Sequence, residues 1–208
     1  MASPLRVAVV ADLHGRLPAV PPADLLVVAG DFCPMGSAER QRSWIERELR
    51  PWLERQEAPV VAVAGNCDLV AAADPELVRS LRWTYLEDEA AEVLGRTVFG
   101  SPLALPFGSW PFMASEERLA EVWARIPEAT ELLVVHGPPH GLGDRAASGA
   151  HAGSVTLRKR IDALPSLRAV VFGHIHEARG RGRVGGYEWV NAAVAGRDEA
   201  APTLLELS

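Results

Sequence analysis

Cysteine is scarce in this chain, and lysine is almost absent. Cys33 and Cys67 are the only cysteines among the 208 residues, which is too few for a disulfide framework, so we expect both thiols to be reduced. Lys159 is the only lysine among 21 basic residues. We attribute this bias to the composition of the source rather than to function.

Long apolar runs are also lacking. No segment reaches the roughly 18 apolar residues of a membrane span, and the start of the chain lacks the apolar region and cleavage site of a secretory signal. We therefore expect a cytoplasmic protein that has no membrane partner. The 27 acidic residues against 21 basic ones give a net charge of −6, which disfavours an extended nucleic-acid surface. Local cations could still hold a small phosphorylated substrate.

The chain does have a large apolar fraction. Hydrophobic residues make up 48% of its length, enough to bury a full core, and we predict one domain over residues 1–208. Short Val/Leu/Ala-rich runs, each followed closely by Gly, Asp, Asn or His, predict buried strands at 5–10, 24–29, 59–64, 131–135 and 167–172. Residues 83–100 are typical of short strands with turns. A hairpin over 179–192 and a closing strand at 203–207 complete this pattern.

Helical segments lie between several of these strands. Their predicted N-caps are Ser37, Asp74, Ser115 and Ser154, residue types whose side chains accept a hydrogen bond from the first helical turn. Pro51 should break or kink the first helical stretch, because proline lacks an amide proton and clashes with the preceding turn. Alternating strands and helices predict an α/β layered fold.

Polar motifs follow five of the predicted strands: DLHG at 12–15, GD at 30–31, GNCD at 65–68, HG at 136–137 and GHIH at 173–176. The carboxyl ends of strands in α/β folds converge on one rim, so we expect these motifs to meet in one crevice. The candidate metal ligands that they supply are Asp12, His14, Asp31, Asn66, His136, His174 and His176.

The spacing and chemistry of these residues predict a dinuclear metal site. Asp12 and His14 are two residues apart, as are His174 and His176, and in extended backbone such pairs project to the same face about 6.5 to 7 Å apart. Carboxylate, imidazole and amide donors suit Mn, Fe, Co, Ni or Zn better than Mg or Ca. Seven ligands match two divalent ions, for which manganese is our first expectation, with Asp31 able to bridge them.

At these residues the sequence resembles the calcineurin-like metallophosphoesterase family, whose pattern is DxH, GD, GN(H/C)(D/E), a lone His and GHxH. The resemblance implies an α/β four-layer sandwich of two mixed β-sheets flanked by helices. It also implies two metal positions that share Asp31. The residues matching the first position are Asp12, His14, Asp31 and His176. The residues matching the second are Asp31, Asn66, His136 and His174.

The implied function is hydrolysis of phosphate esters. A water that bridges two dications has a strongly lowered pKa, so hydroxide is available to attack phosphorus, while the ions neutralise charge on the phosphate. We assign catalytic roles to Asn66, Cys67 and Asp68, with Asp68 orienting its neighbours. Many family members have His where this chain has Cys67, and that His resembles a general acid. A thiol is a weaker acid catalyst beside metal ions, so we predict that phosphodiesters and activated aryl esters are favoured over alkyl monoesters.

Two other functions stay open. A non-catalytic metal-binding scaffold could share the fold, although intact ligand positions argue against it. A protein Ser/Thr phosphatase is the third candidate, but those relatives resemble the family with His in place of Cys67 and have larger extensions. Metal content of the purified protein separates the first two, and phosphopeptide turnover tests the third.

Several residues near the motifs receive default assignments. We expect His140 to be a turn residue, Asp144 to be a solvated loop charge, and His151 to lie in a mobile loop of turn-forming composition. Arg16 could contact a phosphate, with a solvated position as the default. Cys33 and Cys67 could form a redox-sensitive pair, but two small buried residues are the expected reading, since buried Cys behaves as a small hydrophobic residue.

Overall fold

The first β-sheet carries three of the five motifs. The computed structural model describes residues 4–195 and 201–208, and this sheet has the strand order β11-β1-β2-β3-β4. Strands β1 to β4 run parallel, whereas β11 pairs with β1 in antiparallel register. The bounds of its strands are Leu5–Val10 (β1), Leu25–Ala29 (β2), Val60–Val63 (β3), Thr84–Tyr85 (β4) and Thr203–Leu207 (β11).

The second sheet carries the other two motifs. Its order is β5-β6-β7-β8-β10-β9, with β6, β7, β8 and β10 parallel and with an antiparallel strand at each edge. The bounds of its strands are Glu89–Val93 (β5), Arg96–Ser101 (β6), Leu132–Val135 (β7), Ala169–Phe172 (β8), Gly180–Val184 (β9) and Tyr187–Asn191 (β10).

The two sheets pack face to face across an apolar core. Val9, Val27 and Val61 of the first sheet contribute to the same buried cluster as Val134 and Val171 of the second. Neighbouring residues of the strands point to the opposite face, against the helices, as the two-residue period of a strand requires. Both faces of these strands are therefore buried, which explains why their sequences are continuous apolar runs rather than alternating ones.

Within residues 4–195 and 201–208, six α-helices cover the outer faces of the sheets. Four lie on the first sheet and two on the second, which gives the predicted order of helix, sheet, sheet and helix layers. The predicted N-caps are confirmed, since each of the four side chains accepts a hydrogen bond from an amide of the first turn. The bounds of the helices are Ala38–Trp44 (α1), Arg50–Glu54 (α2), Leu69–Ala73 (α3), Pro75–Arg79 (α4), Glu116–Trp123 (α5) and Val155–Ala163 (α6).

The helical stretch around Pro51 differs from the prediction. The chain stays helical to Glu54, and a π-helical turn at Ile45–Leu49 precedes Pro51, which lies in the first turn of α2. The amide of Arg50 reaches back five residues to the carbonyl of Ile45, and this wider turn lets the proline ring follow without breaking the helix. Among the described residues no helix is long and apolar enough to cross a membrane.

Candidate metal centre

The structure brings the five motifs to one rim. Each motif begins within a residue or two of the carboxyl end of β1, β2, β3, β7 or β8, and these strands are parallel within their own sheets. The contacts described below join residues from all five motifs, although they lie up to 164 positions apart in the sequence. The predicted convergence of the strand ends is therefore observed.

Asp31 lies between two imidazoles. Its Oδ2 atom is 3.9 Å from Nε2 of His14, and its Oδ1 atom is 3.6 Å from Nε2 of His136. The backbone amide of Cys67 donates to Oδ1 at 2.7 Å. The two carboxylate oxygens thus face different histidines.

Asp12, His14 and His176 form the first group of donors, and one ligand atom from each lies within 4.8 Å of the others. The Nε2 atoms of the two histidines are 3.4 Å apart, and Nε2 of His176 is 3.2 Å from Oδ1 of Asp12. The backbone amide of His174 donates to both oxygens of Asp12, at 2.9 and 3.1 Å. The carboxylate of Asp12 is therefore fixed by the GHIH motif itself.

His136 is the centre of the second group. Its Nδ1 donates to the carbonyl oxygen of Ala29 at 3.0 Å, so Nε2 is the nitrogen that faces the other proposed ligands. That Nε2 lies 3.1 Å from Oδ1 of Asn66. The ring of His174 makes an edge contact with His136, with centroids 5.0 Å apart. Asp12, Asp31 and His136 also have ligand atoms within 4.8 Å of one another.

The charges of the proposed ligands favour the binding of cations. Asp12 and Asp31 are buried, and their side-chain ion partners within the described part of the chain are histidines. Burial lowers the pKa of His174, assisted by the charge of His136, to about 3. A neutral imidazole at this position can donate its lone pair. Buried carboxylates together with imidazole nitrogens form a donor set that suits borderline divalent ions.

The backbone at the ligand positions is not extended as predicted. Asp12, His14, Asp31 and His174 have φ values of 56°, 44°, 52° and 70°, which is the left-handed region. Such a conformation costs on the order of 1 kcal/mol or more for a residue other than glycine and is concentrated at functional sites. The predicted extended backbone is therefore wrong at these positions, although the predicted convergence of the strand ends is observed.

Two motif glycines make room for the carboxylates. A Cβ atom on Gly65 would lie closer than van der Waals contact to Oδ1 of Asp31, and one on Gly173 would meet Oδ2 of Asp12 in the same way. A side chain at either position would displace a proposed ligand. The glycines of GNCD and GHIH are therefore steric requirements of the site.

Asp68 positions the two loops that carry Asp31 and Asn66. Its buried carboxylate accepts hydrogen bonds from the amides of Cys33 and Gly65, both at 2.8 Å. Burial, reinforced by the charge of Asp31, raises the pKa of Asp68 to about 7. The contacts of this side chain are with backbone amides, and a role of Asp68 in catalysis stays a prediction.

Gln41, which the sequence pattern does not identify, also holds the GNCD loop. This fully buried side chain of α1 donates to the carbonyl oxygen of Cys67 at 2.7 Å and accepts from the amide of Val70 at 2.9 Å. Glutamine in a helix otherwise rich in charge is typical of a solvent-facing position, so the sequence contains no signal for this role.

Cys67 points towards the ligands, and its Sγ lies within 4.8 Å of ligand atoms of His14 and Asp31. Burial and then the charge of Asp31 raise the pKa of the Cys67 thiol well above its ordinary range. Cys33 is fully buried, and burial raises the pKa of its thiol as well. Protonated buried thiols are unreactive, which favours the reading of Cys33 as a small core residue.

The loop after β7 differs from its prediction. Asp144 is only 2% exposed and is not a solvated charge. His151 is anchored by its Nδ1 atom, 2.8 Å from Oδ1 of Asp144. The assignment of Asp144 was wrong because turn-forming composition does not reveal which carboxylate a loop encloses, whereas His140 lies in a turn as predicted. Arg16 is exposed beside the DLHG motif, and a phosphate contact there stays a prediction.

Asn191 is a second residue that the sequence analysis missed. At the carboxyl end of β10, its side-chain amide donates to the carbonyl oxygens of Gly143 and Ile175, both at 2.9 Å. It thereby ties the loop after β7 to the GHIH motif. A polar residue directly after an apolar strand was the signal used for the other motifs, and the same signal could have identified this one.

The sequence is similar to those of known proteins. Residues 5–178 match the model of the family described as calcineurin-like phosphoesterase. A human metallophosphoesterase domain-containing protein 1 is 29% identical, over 91% of this chain and 66% of the relative. A UPF0046 protein of Caenorhabditis elegans is 31% identical, over 91% and 69% respectively. The chain thus spans about two thirds of the length of the human relative.

Solved structures share the fold. A crystal structure of a dimetal phosphatase from Danio rerio aligns with a TM-score of 0.53 at 12% identity, covering 91% of this chain and 87% of its own. Another crystal structure aligns with a TM-score of 0.63 at 16% identity, over 99% of this chain and 100% of its own. The family model covers most of the chain and includes all five motifs, so this protein belongs to the calcineurin-like phosphoesterase family.

Proposed function

We propose that this protein is a dinuclear metal-dependent phosphoesterase and that it favours phosphodiesters over alkyl phosphomonoesters. The position of Asp31 carries the proposal, because its two oxygens face histidines of two separate donor groups. One ion would be held by Asp12, His14, Asp31 and His176. The other would be held by Asp31, Asn66, His136 and His174.

The bound ions would activate water and phosphate, and the protein side chains would hold the metal ligands in place. Two bound divalent ions would lower the pKa of water and neutralise charge on the phosphate. His136 keeps its proton on Nδ1 through the carbonyl of Ala29, so that Nε2 faces Asn66 and the cleft. Asp68 and Gln41 hold the GNCD loop in register with Asp31. These contacts fix the ligands before substrate arrives, as electrostatic preorganisation requires.

The thiol at position 67 supports the preference for diesters. Protonating a departing alkoxide is the difficult step for alkyl esters, and a positioned general acid accelerates it about 100-fold or more. Sγ of Cys67 lies within 4.8 Å of ligand atoms of His14 and Asp31, so beside two dications the thiol would tend to ionise or to ligate metal instead of protonating the leaving group. Aryl leaving groups need no such proton, and we expect them to be released with the least assistance from the protein.

An exposed aromatic ring beside the centre supports a planar leaving group. Phe107 is 53% exposed, yet its ring makes an edge contact with the imidazole of His174, with centroids 5.2 Å apart. A large apolar side chain held at the rim of a polar site is typical of a surface that contacts substrate. We propose that Phe107 packs against an aryl or nucleobase group of the diester.

The test is a substrate panel assayed with Mn, Ni, Zn and other divalent ions supplied separately. An aryl phosphodiester, cyclic nucleotides, dinucleotides, an alkyl monoester and a phosphopeptide would be compared at equal concentration. We expect metal-dependent turnover, fastest with the aryl diester. A strong preference for the alkyl monoester would contradict the diester proposal.

Two other outcomes would support the alternative functions. Stoichiometric metal without turnover of any ester would indicate a binding scaffold. Phosphopeptide turnover above that of the diester would indicate a protein phosphatase. Full activity in chelator, with no bound metal, would contradict the metal mechanism itself.

A further inference from the structure

A second group of metal-ligand side chains lies outside the candidate metal centre. His140, Asp144 and His151 belong to the segment between β7 and α6, and one ligand atom from each lies within 4.8 Å of the other two. This group shares no residue with the centre around Asp31. The other such groups found in the described part of the chain all belong to that centre.

Asp144 is fixed with one oxygen directed at an imidazole. Its Oδ2 accepts the amides of Gly141 and Gly153, at 3.0 and 3.2 Å, while Oδ1 lies 2.8 Å from Nδ1 of His151. Burial would raise the pKa of this carboxyl, but the hydrogen bonds from Gly141 and His151 outweigh it, and the pKa is lowered. The carboxylate is therefore ionised and held by the loop before any ligand binds.

Both histidines extend from anchored backbone. The amide of His140 donates to the carbonyl of Ser154 at 2.9 Å, and the amide of Ala152, next to His151, donates to the carbonyl of Asp144 at 3.0 Å. The two rings are tilted by 39°, with centroids 4.8 Å apart. The side chain of His151 is 35% exposed, so the group opens to solvent on one side.

We propose that His140, Asp144 and His151 bind one divalent transition-metal ion of the zinc class. Two imidazole nitrogens and one carboxylate oxygen are a three-residue donor set that leaves a fourth position for water. Donor atoms around tetrahedral zinc are about 3.3 Å apart, so side-chain rotations within the observed 4.8 Å would complete the coordination.

The ion would also stabilise the segment between β7 and α6, which lies next to the proposed dinuclear centre. Asn191 donates to Gly143 within this segment and to Ile175 within the GHIH motif. A cation that cross-links the segment would therefore restrict a loop tied to two proposed ligands of the dinuclear centre. The site requires no activity of that centre, and its test does not depend on the proposed function.

The experiment measures zinc bound to the full chain after loading with Zn²⁺ and dialysis. His140→Gln removes one donor while leaving the contact between Asp144 and His151, and Ser148→Ala in the same loop is the matched control. We expect His140→Gln to bind one equivalent fewer than the wild type, and Ser148→Ala to bind the wild-type amount. Equal zinc content in wild type and His140→Gln would overturn the proposal.

A second comparison separates the two sites. In the double variant Asp12→Asn, Asp31→Asn the dinuclear centre should be weakened, and the protein should still bind one equivalent of zinc. In the triple variant, which also carries His140→Gln, this remaining zinc should be lost. Addition of Zn²⁺ should raise the Tm of the double variant but not of the triple variant. Loss of all zinc in a folded double variant would contradict the proposed site. If the double variant does not fold, the comparison of wild type with His140→Gln decides.

Discussion

The backbone amide of Cys67 donates to Oδ1 of Asp31 at 2.7 Å. The residue at the general-acid position is therefore tied to the proposed bridging carboxylate through its main chain, and its side chain is free to differ without breaking this contact. Sγ of Cys67 also accepts from Nδ2 of the proposed ligand Asn66 at 3.2 Å, so a test of acid catalysis at position 67 must include the metal content of each variant.

Cys67→His should shift the substrate preference towards alkyl monoesters. An imidazole at this position restores a proton donor with a pKa near neutrality, so we expect alkyl monoester turnover to rise roughly 10- to 100-fold relative to aryl diester turnover. Steady-state kcat/KM for both substrates measures the ratio. Cys67→Ser, which offers no acid near neutral pH, is the control. An unchanged ratio in a folded Cys67→His protein with full metal content would refute the assignment.

Asp31→Asn should reduce both metal content and activity. The amide loses the charge that balances two cations and offers one oxygen instead of two, so kcat should fall at least about 100-fold. Metal analysis and aryl diester turnover provide the measurements. Glu57→Gln removes the same charge at an exposed position before β3, at the opposite end of the strand from the motifs, and should leave both unchanged. Wild-type activity in Asp31→Asn would exclude the bridging role.

Phe107→Ala should weaken binding of aromatic substrates selectively. Loss of a ring contact worth about 0.5 to 1.5 kcal/mol predicts a KM for an aryl diester raised about 2- to 12-fold, with kcat nearly unchanged. A dimethyl phosphate diester presents no ring, and its KM should stay the same. Phe107→Leu, which keeps apolar bulk, should give an intermediate value. Equal effects on both substrates would argue for a structural role of this side chain.

Asp144→Asn should destabilise the protein in a pH-dependent way. The pKa of Asp144 is lowered in the folded state, so its contribution to stability is present above about pH 4 and is lost as the pH falls through the folded pKa. We expect a loss of roughly 1 to 3 kcal/mol in the free energy of unfolding at pH 7. Urea unfolding in chelator at pH 7 and at progressively lower pH measures this difference. If the difference in unfolding free energy between the wild type and Asp144→Asn grows as the pH falls, the lowered pKa of Asp144 in the folded state is contradicted.

The sequence predicted the layers of the fold because burial on both faces leaves strands with continuous apolar runs. The four N-caps could also be predicted from the sequence, because an N-cap side chain such as that of Ser37 accepts its hydrogen bond from an amide only three residues further on. Helix α3 was not predicted, and its N-cap Asp68 accepts from the amides of Cys33 and Gly65 instead of capping the helix. The sequence therefore predicted correctly those features whose interacting residues lie close together in the chain.

The sequence by itself determined the family, the layered fold and the set of donors, because strand ends and residue chemistry are local properties. Only the tertiary structure decided which donors meet. The placement of Asp31 between His14 and His136, the burial of Gln41 and Asp144, and the left-handed turns at the ligands depend on contacts between residues distant in the chain. Such contacts follow from the packing of two sheets, and a linear pattern does not specify them.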